Sequence, residues 1–222
     1  RGEEAPTKYL SVLKELASEI GAVLIFDEIT SGFRMCPGGI HRRYEVYPDM
    51  AVFAKSMANG YAMAAVIGNE STMQAAQSTF ISSTNWTDRI GPVAALATIK
   101  KYVKNNVENH IINIGNKTKS IWREMAVKNN IKIDISGLPT LAAFNFDSEF
   151  SMEMQTCFVI EMLHRGFLAF RQFKPSFAHS DEDLNAYAIA VDEVFEIISN
   201  LTNDDLKRLN VCHAGLTRLT KE

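Results

Sequence analysis

Cysteine is scarce in this 222-residue chain: Cys36, Cys157 and Cys212 stand far apart, with no Cys-x-x-Cys pair. That spacing argues against zinc clusters and a disulfide framework, and fits reduced thiols in a cytoplasmic protein. No apolar run approaches the roughly 18 residues that a membrane-spanning helix needs, and no leader segment is visible, so no membrane partner is expected. Positive charge is not in excess either. The net charge is -3 and no basic stripe appears, which gives no electrostatic case for nucleic acid. His41, His110, His164, His179 and His213 show no metal-ligand spacing, so no metal is expected. The Asn-x-Thr triplets at Asn85, Asn116 and Asn200 read as chance in a chain of this type.

What is present is an ordinary globular composition, 46% hydrophobic and 22% charged, enough for a sizeable core in one or two domains. Val23, Leu24, Ile25 and Phe26 form a continuous apolar run, as expected of a buried parallel strand. Asp27 and Glu28 close it, at the carboxyl end where open α/β sheets bind ligands. The helical spacing of Tyr9, Leu10, Val12, Leu13 and Leu16 predicts a helix before that strand.

Lys55 lies 28 positions after Asp27, behind the apolar Ala51, Val52, Phe53 and Ala54 and ahead of a Gly-containing turn. At its ordinary pKa of about 10.4 a lysine keeps its amine protonated, and gathering the neutral form at pH 7 costs about 4.6 kcal/mol. Apolar neighbours lower that cost by desolvation, so Lys55 is expected to be desolvated and suited to a Schiff base. A lysine marking a strand end in water is the plain alternative. Asp27 weighs against it, because an acid there can pair with a protonated ring nitrogen. Such an ion pair at about 4 Å is worth about 4 kcal/mol at an effective dielectric near 20.

An apolar strand ending in Asp-Glu also suits the magnesium-binding strand of a nucleotide hydrolase. That reading requires a GxxxxGK[ST] loop, which the sequence lacks. Gly115-Asn116-Lys117-Thr118 has no preceding glycine at the right distance and lies in a helical pattern.

Three segments in order, GAVLIFDEITSGFR, PDMAVFAKSMANGYAMAAVIG and FISSTNWTDRIGPVAALATI, closely resemble the class III pyridoxal-phosphate-dependent aminotransferases, in particular the glutamate-1-semialdehyde aminomutase-like branch. FAHSDEDLNAYAIAVDEVF resembles that branch's closing helix more weakly. The resemblance implies α/β architecture of fold type I: part of a large domain with a mostly parallel sheet over residues 1–105, then a smaller α+β domain over 106–222. It implies pyridoxal 5'-phosphate as cofactor, small amino and oxo compounds as substrates, and a homodimer.

By the same resemblance Lys55 is the Schiff-base lysine and Asp27 the partner of the ring nitrogen. Ile29 packs on the ring, Thr30 lies near the ring hydroxyl, and Ser83 and Thr84 bind the phosphate, Thr84 in the neighbouring subunit's site. Read from the residues alone, Ile29 and Thr30 are simply core and turn positions, and Thr84 is a helix cap, a role compatible with binding an anion. Arg171, between Phe170 and Gln172, is either a reader of a substrate carboxylate or a surface arginine.

The chain departs from the family pattern at Ala62, where proline usually follows the tyrosine, and at Asp88-Arg89, where Asn-Pro usually opens the helix. The resemblance spans only the C-terminal half of a complete enzyme. A fragment, a truncated product or one part of a split enzyme is therefore expected, with an unpaired sheet edge and little turnover alone.

Downstream, Ile90, Val93, Ala94, Ala97, Ile99, Tyr102 and Val103 form a core-type helical stripe, interrupted near Asn105-Asn106. Residues 131–146 alternate around Gly137-Leu138-Pro139, as in a hairpin. Ser151 to Arg165 reads as a helix capped by Gly166. Ser180-Asp181-Glu182-Asp183 reads as a capping box rather than a metal site.

Overall fold

The computed structural model describes residues 5, 6, 8–82, 84, 87–209 and 211. It divides into two compact units, Arg1–Asn113 and Ile114–Glu222.

The first unit opens with α1 (Tyr9–Glu19) and continues through β1 (Ile25–Asp27), β2 (Met50–Phe53), β3 (Ala65–Gly68), the short α2 (Glu70–Gln74) and α3 (Ile90–Lys104). The strands form one sheet in the order β1-β2-β3. β1 and β2 run parallel with Asp27 opposite Val52, and β2 and β3 run antiparallel with Phe53 opposite Ala65. β2 is central, and its alternation drives Ala51 and Phe53 into a core with Met57, Ala58 and Ala95. Asp49 clamps the entry to this sheet, accepting from Lys14 Nζ at 2.8 Å, Leu24 N at 2.9 Å and Asn69 Nδ2 at 3.0 Å. The bonds from Lys14 and the Leu24 amide hold its carboxyl below the usual range.

Two expectations of burial fail here. Val23 and Ile25 are about half exposed, 52% and 54%. β1 lies at the sheet edge, so its outer backbone is unpaired among the described residues, and of its side chains only Phe26, beside the His41 ring, is partly covered. The α1 stripe is likewise open: Tyr9, Val12 and Leu16 are exposed and only Ala17 is buried. In α3 the buried face is Gly91, Ala95 and Tyr102, while Ile90, Val93 and Val103 point outward. The sequence stripe is therefore wider than the face the unit covers.

α4 (Val107–Lys128) follows a break at Asn106, whose φ of 48° a short polar side chain tolerates. Gly115 to Thr118 lie inside α4, as the helical pattern there requires. The division between the units also falls within this helix.

The second unit holds β4 (Ile133–Ser136), β5 (Ala142–Phe146), α5 (Ser151–His164), β6 (Gln172–Phe173), α6 (Asp181–Asn200) and α7 (Asn203–Lys207). Its sheet, ordered β4-β5-β6, is wholly antiparallel. β4 and β5 form the predicted hairpin, turned at Gly137 with φ 78°. Gly115 lets α4 approach this turn: a Cβ there would overlap the Pro139 carbonyl. The core gathers Trp122, Phe144, Phe158, Met162, Val191, Val194 and Phe195. Trp122 Nε1 donates to Tyr187 Oη at 2.9 Å, so neither buried polar tip is orphaned. Gly166 ends α5 with φ 82°. Ser180 and Asp183 form the capping box, with Asp183 N donating to Ser180 Oγ at 3.2 Å and Ser180 N to Asp183 Oδ2 at 2.8 Å. Burial pushes the Cys157 thiol up to about 11, which keeps it un-ionised and inert near neutral pH. Cys212 and His213 lie outside the described residues.

Candidate active site

Parallel pairing sets the site. Because Asp27 stands opposite Val52, the two strands end side by side, and Asp27 on β1 and Lys55 just past β2 emerge at the same edge of the first unit. Strand neighbours lie about 4.8 Å apart, close enough for side chains of both to reach one small molecule. Glu28 N donates to Val52 O at 2.9 Å and extends the ladder past Asp27.

Beyond β2 the chain turns sharply. Lys55 opens a 3-10 turn, Lys55–Met57, with φ 47°, a left-handed conformation that costs a non-glycine residue of order 1–3 kcal/mol. Met57 and Ala58 are buried directly after it and hold the turn in the core. Lys55 Nζ donates to Thr30 Oγ1 at 2.7 Å, so the structure brings two of the sequence-predicted site residues into contact.

The desolvation expected around Lys55 is absent: its side chain is exposed. The apolar residues before it explain this, since Ala51 and Phe53 point into the core and leave nothing to cover the amine. Asp27 is also exposed. Its Oδ1 accepts from Ile29 N at 3.0 Å, and among the described residues no cation pairs with it. Ile29 is half-buried in the turn between Asp27 and Thr30.

Ser83 lies outside the described residues, and Thr84 sits exposed in a turn before α3. Arg171 belongs to the second unit. There its guanidinium lies 5.6 Å from the Phe170 ring centroid and 3.4 Å from Asn145 Oδ1. Phe170 and Gln172, on either side of it, line an apolar cavity of about 420 Å³ with Phe167, Phe173 and Tyr187. Among the described residues no three His, Cys, Asp or Glu side chains gather as metal ligands.

Sequence reasoning passed over one feature of the site, the buried pairing of Glu28 with His41 at 2.9 Å. The signal was the Asp-Glu doublet itself: at a strand end, successive side chains take opposite sides, so one acid faces out and the next faces in.

A ring carrying an aldehyde, a basic nitrogen and a hydroxyl asks for an amine, a carboxylate and a hydrogen-bonding hydroxyl arranged around one open space. Lys55, Asp27 and Thr30 are an amine, a carboxylate and a hydroxyl at the ends of two adjacent strands, with Ile29 next to Thr30 in the chain. The residues present therefore fit pyridoxal 5'-phosphate.

Comparison with known proteins agrees. The family described as aminotransferase class-III matches residues 3–200. A 3-aminobutyryl-CoA aminotransferase of Cloacimonas acidaminovorans is 31% identical over 194 residues, 82% of this chain and 45% of its own length. A glutamate-1-semialdehyde 2,1-aminomutase of Clostridium perfringens is 29% identical over 208 residues, 85% of this chain and 49% of its own. Among solved structures, the FumI protein of a Sphingopyxis species in its PLP internal aldimine form superposes with a TM-score of 0.84 at 19% identity, covering 94% of this chain and 50% of that one. A transaminase with PLP bound gives 0.78 at 20% identity, over 88% and 49%. The chain thus spans about half the length of the curated relatives it matches. A profile covering nearly all of the chain, together with an α/β fold shared with PLP-bound transaminases, establishes that this chain belongs to the class-III aminotransferases, a family of pyridoxal-phosphate-dependent enzymes.

Proposed function

We propose that this chain carries the lysine-bearing part of a site for pyridoxal-phosphate-dependent amino-group transfer, as an aminotransferase or an aminomutase acting on small amino and oxo compounds in the cytoplasm. The observation that carries the reading is the Lys55 Nζ to Thr30 Oγ1 bond of 2.7 Å beside Asp27, at the shared end of the parallel strand pair.

When bound, pyridoxal phosphate supplies an aldehyde for amine exchange and an electron sink for the pair left when a carbon-bound proton departs. Lys55 Nζ would hold the aldehyde end of the cofactor and, when free, would act as the base that carries a proton to and from the substrate carbon. Asp27 would keep the ring nitrogen protonated, Ile29 would offer the ring an apolar side chain, and Thr30 would give its hydroxyl as a hydrogen-bond partner near Lys55. Ser83 and Thr84 bind the phosphate, Thr84 in the site of a second subunit of a homodimer. Arg171 pairs with a substrate carboxylate through its planar fork. In this reading residues 1–105 are the C-terminal part of the cofactor-binding domain and 106–222 the small domain.

The exposed stripe of α1 and the uncovered β1 edge favour a second reading, a module that is non-catalytic by itself or needs a separate N-terminal half. One experiment addresses both. The purified chain is mixed with pyridoxal phosphate, freed of excess by gel filtration, and given an amino donor in a single turnover. Retained visible absorbance at about one cofactor per chain, bleached by the donor with release of an oxo product, is the expected result for a competent site. Retained absorbance without bleaching selects the second reading, and no retained absorbance contradicts the first.

A further inference from the structure

Glu28 follows the acid assigned to the ring nitrogen, yet it faces the other way and is 2% exposed. A carboxylate so deep is costly unless each oxygen is satisfied. Here each is. Oε1 accepts from His41 N at 3.1 Å and from His41 Nδ1 at 2.9 Å, and Oε2 accepts from the Ser31 hydroxyl. His41 is itself buried, its ring 5.9 Å from that of Phe26 and 6.0 Å from that of Tyr47.

The backbone of Glu28 is held as well. Its N–H donates to Val52 O at 2.9 Å and its carbonyl accepts from Gly32 N at 2.8 Å. Between those anchors Ile29, Thr30 and Ser31 form a closed turn. Arg34 Nε adds a bond of 2.7 Å to the Thr30 carbonyl. A Cβ on Gly32 would lie 2.7 Å from both Glu28 O and Phe53 Cδ1, so the turn rests directly on the strand that leads to Lys55.

We infer that Glu28 is a positioning residue for Lys55, acting through Thr30: its buried carboxylate locks the 28–32 turn, and the locked turn presents the hydroxyl that fixes the amine. This rests on the reading of Lys55 given above. It assigns the second acid of the doublet a task distinct from the first. Geometry rather than charge does the work, so a glutamine, which keeps an acceptor for His41 and a polar partner for Ser31, substitutes for it.

The test compares Glu28→Ala, Glu28→Gln and Ser31→Ala with the unmodified chain. The first readout needs no cofactor: amide hydrogen exchange at Gly32 is expected to rise about tenfold in Glu28→Ala and to stay within about twofold in Glu28→Gln. The second is the ratio of pyridoxyl adduct at Lys55 to that at the exposed Lys174 after limiting pyridoxal phosphate and borohydride. That ratio is expected to fall about fivefold in Glu28→Ala, less in Ser31→Ala, and to be preserved in Glu28→Gln. A loss of stability alone would lower the melting temperature without changing the ratio. An unchanged ratio in Glu28→Ala, or in Ser31→Ala should the former not fold, overturns the inference, as does a Glu28→Gln that behaves like Glu28→Ala. No preference for Lys55 in the unmodified chain overturns the reading of Lys55 itself, which is a different result.

Discussion

Lys55→Ala is expected to lower the rate of amino-group transfer by about 10²- to 10⁴-fold, the usual contribution of a positioned proton carrier, while leaving the fold unchanged. Both halves of this expectation follow from position. Lys55 is exposed and makes one side-chain bond, to Thr30 Oγ1, so its removal uncovers nothing and changes stability by no more than about 0.5 kcal/mol. The left-handed backbone at φ 47° is imposed by the turn anchored at Met57 and Ala58, and alanine inherits it. The measurement is single-turnover bleaching of bound cofactor, in the assembly that shows turnover, with and without added methylamine. The expected result is a slow variant partly restored by the small amine, which supplies the missing base. Lys55→Arg keeps a cation but cannot shuttle a proton, so it should be equally slow. A variant that transfers amino groups at the parent rate would remove Lys55 from the chemistry.

The other large effect belongs to stability. Phe144→Ala is expected to destabilise the second unit by about 3–5 kcal/mol, the range for truncating a fully buried aromatic. Phe144 is fully buried, its ring centroid 4.9 Å from that of Trp122, 5.2 Å from Phe158, 5.4 Å from Phe146 and 6.0 Å from Phe195. Its removal leaves a cavity walled by other rings, which cannot collapse without breaking edge-to-face contacts worth about 0.5–1.5 kcal/mol each. Urea unfolding followed by circular dichroism should show the midpoint move sharply down at constant slope. A loss below about 1 kcal/mol would mean that this cluster does not hold the unit together. Phe144→Leu, nearer in volume, should cost less.

How much of this was legible in the sequence varies by element. The second unit was read well because its signals are local: the Ser180 capping box, the Gly166 terminator and the Gly137 turn each state their geometry within a few residues. The first unit was read correctly in outline, with an unpaired sheet edge among the expectations, but Val23 and Ile25, expected to be buried, are about half exposed. Apolarity at Val23, Ile25, Val12 and Val93 states what a residue is suited to pack against, not whether the partner surface is present, and these side chains are largely uncovered. The same applies to Lys55, whose apolar neighbours face the core and leave the amine in solvent.

The candidate site divides in the same way. Asp27 and Lys55 were recoverable as strand-end residues because a parallel pair brings two strand ends together. The bond between Thr30 and Lys55 was not, since it depends on a left-handed residue and a five-residue turn that carry no periodic signal. Nor was the Glu28–His41 pairing, whose members lie 13 residues apart and meet through the 3-10 turn Ile40–Arg43.

Where the cofactor attaches decides whether Lys55 is the reacting amine. The chain, saturated with pyridoxal phosphate and reduced with borohydride, is digested and its modified lysine located by mass spectrometry, with Asp27→Ala in parallel. The expected result is a pyridoxyl group on the peptide containing Lys55, near one per chain, and a marked fall in its yield when Asp27 is removed. An adduct centred on another lysine, or spread evenly over the surface lysines, would contradict it.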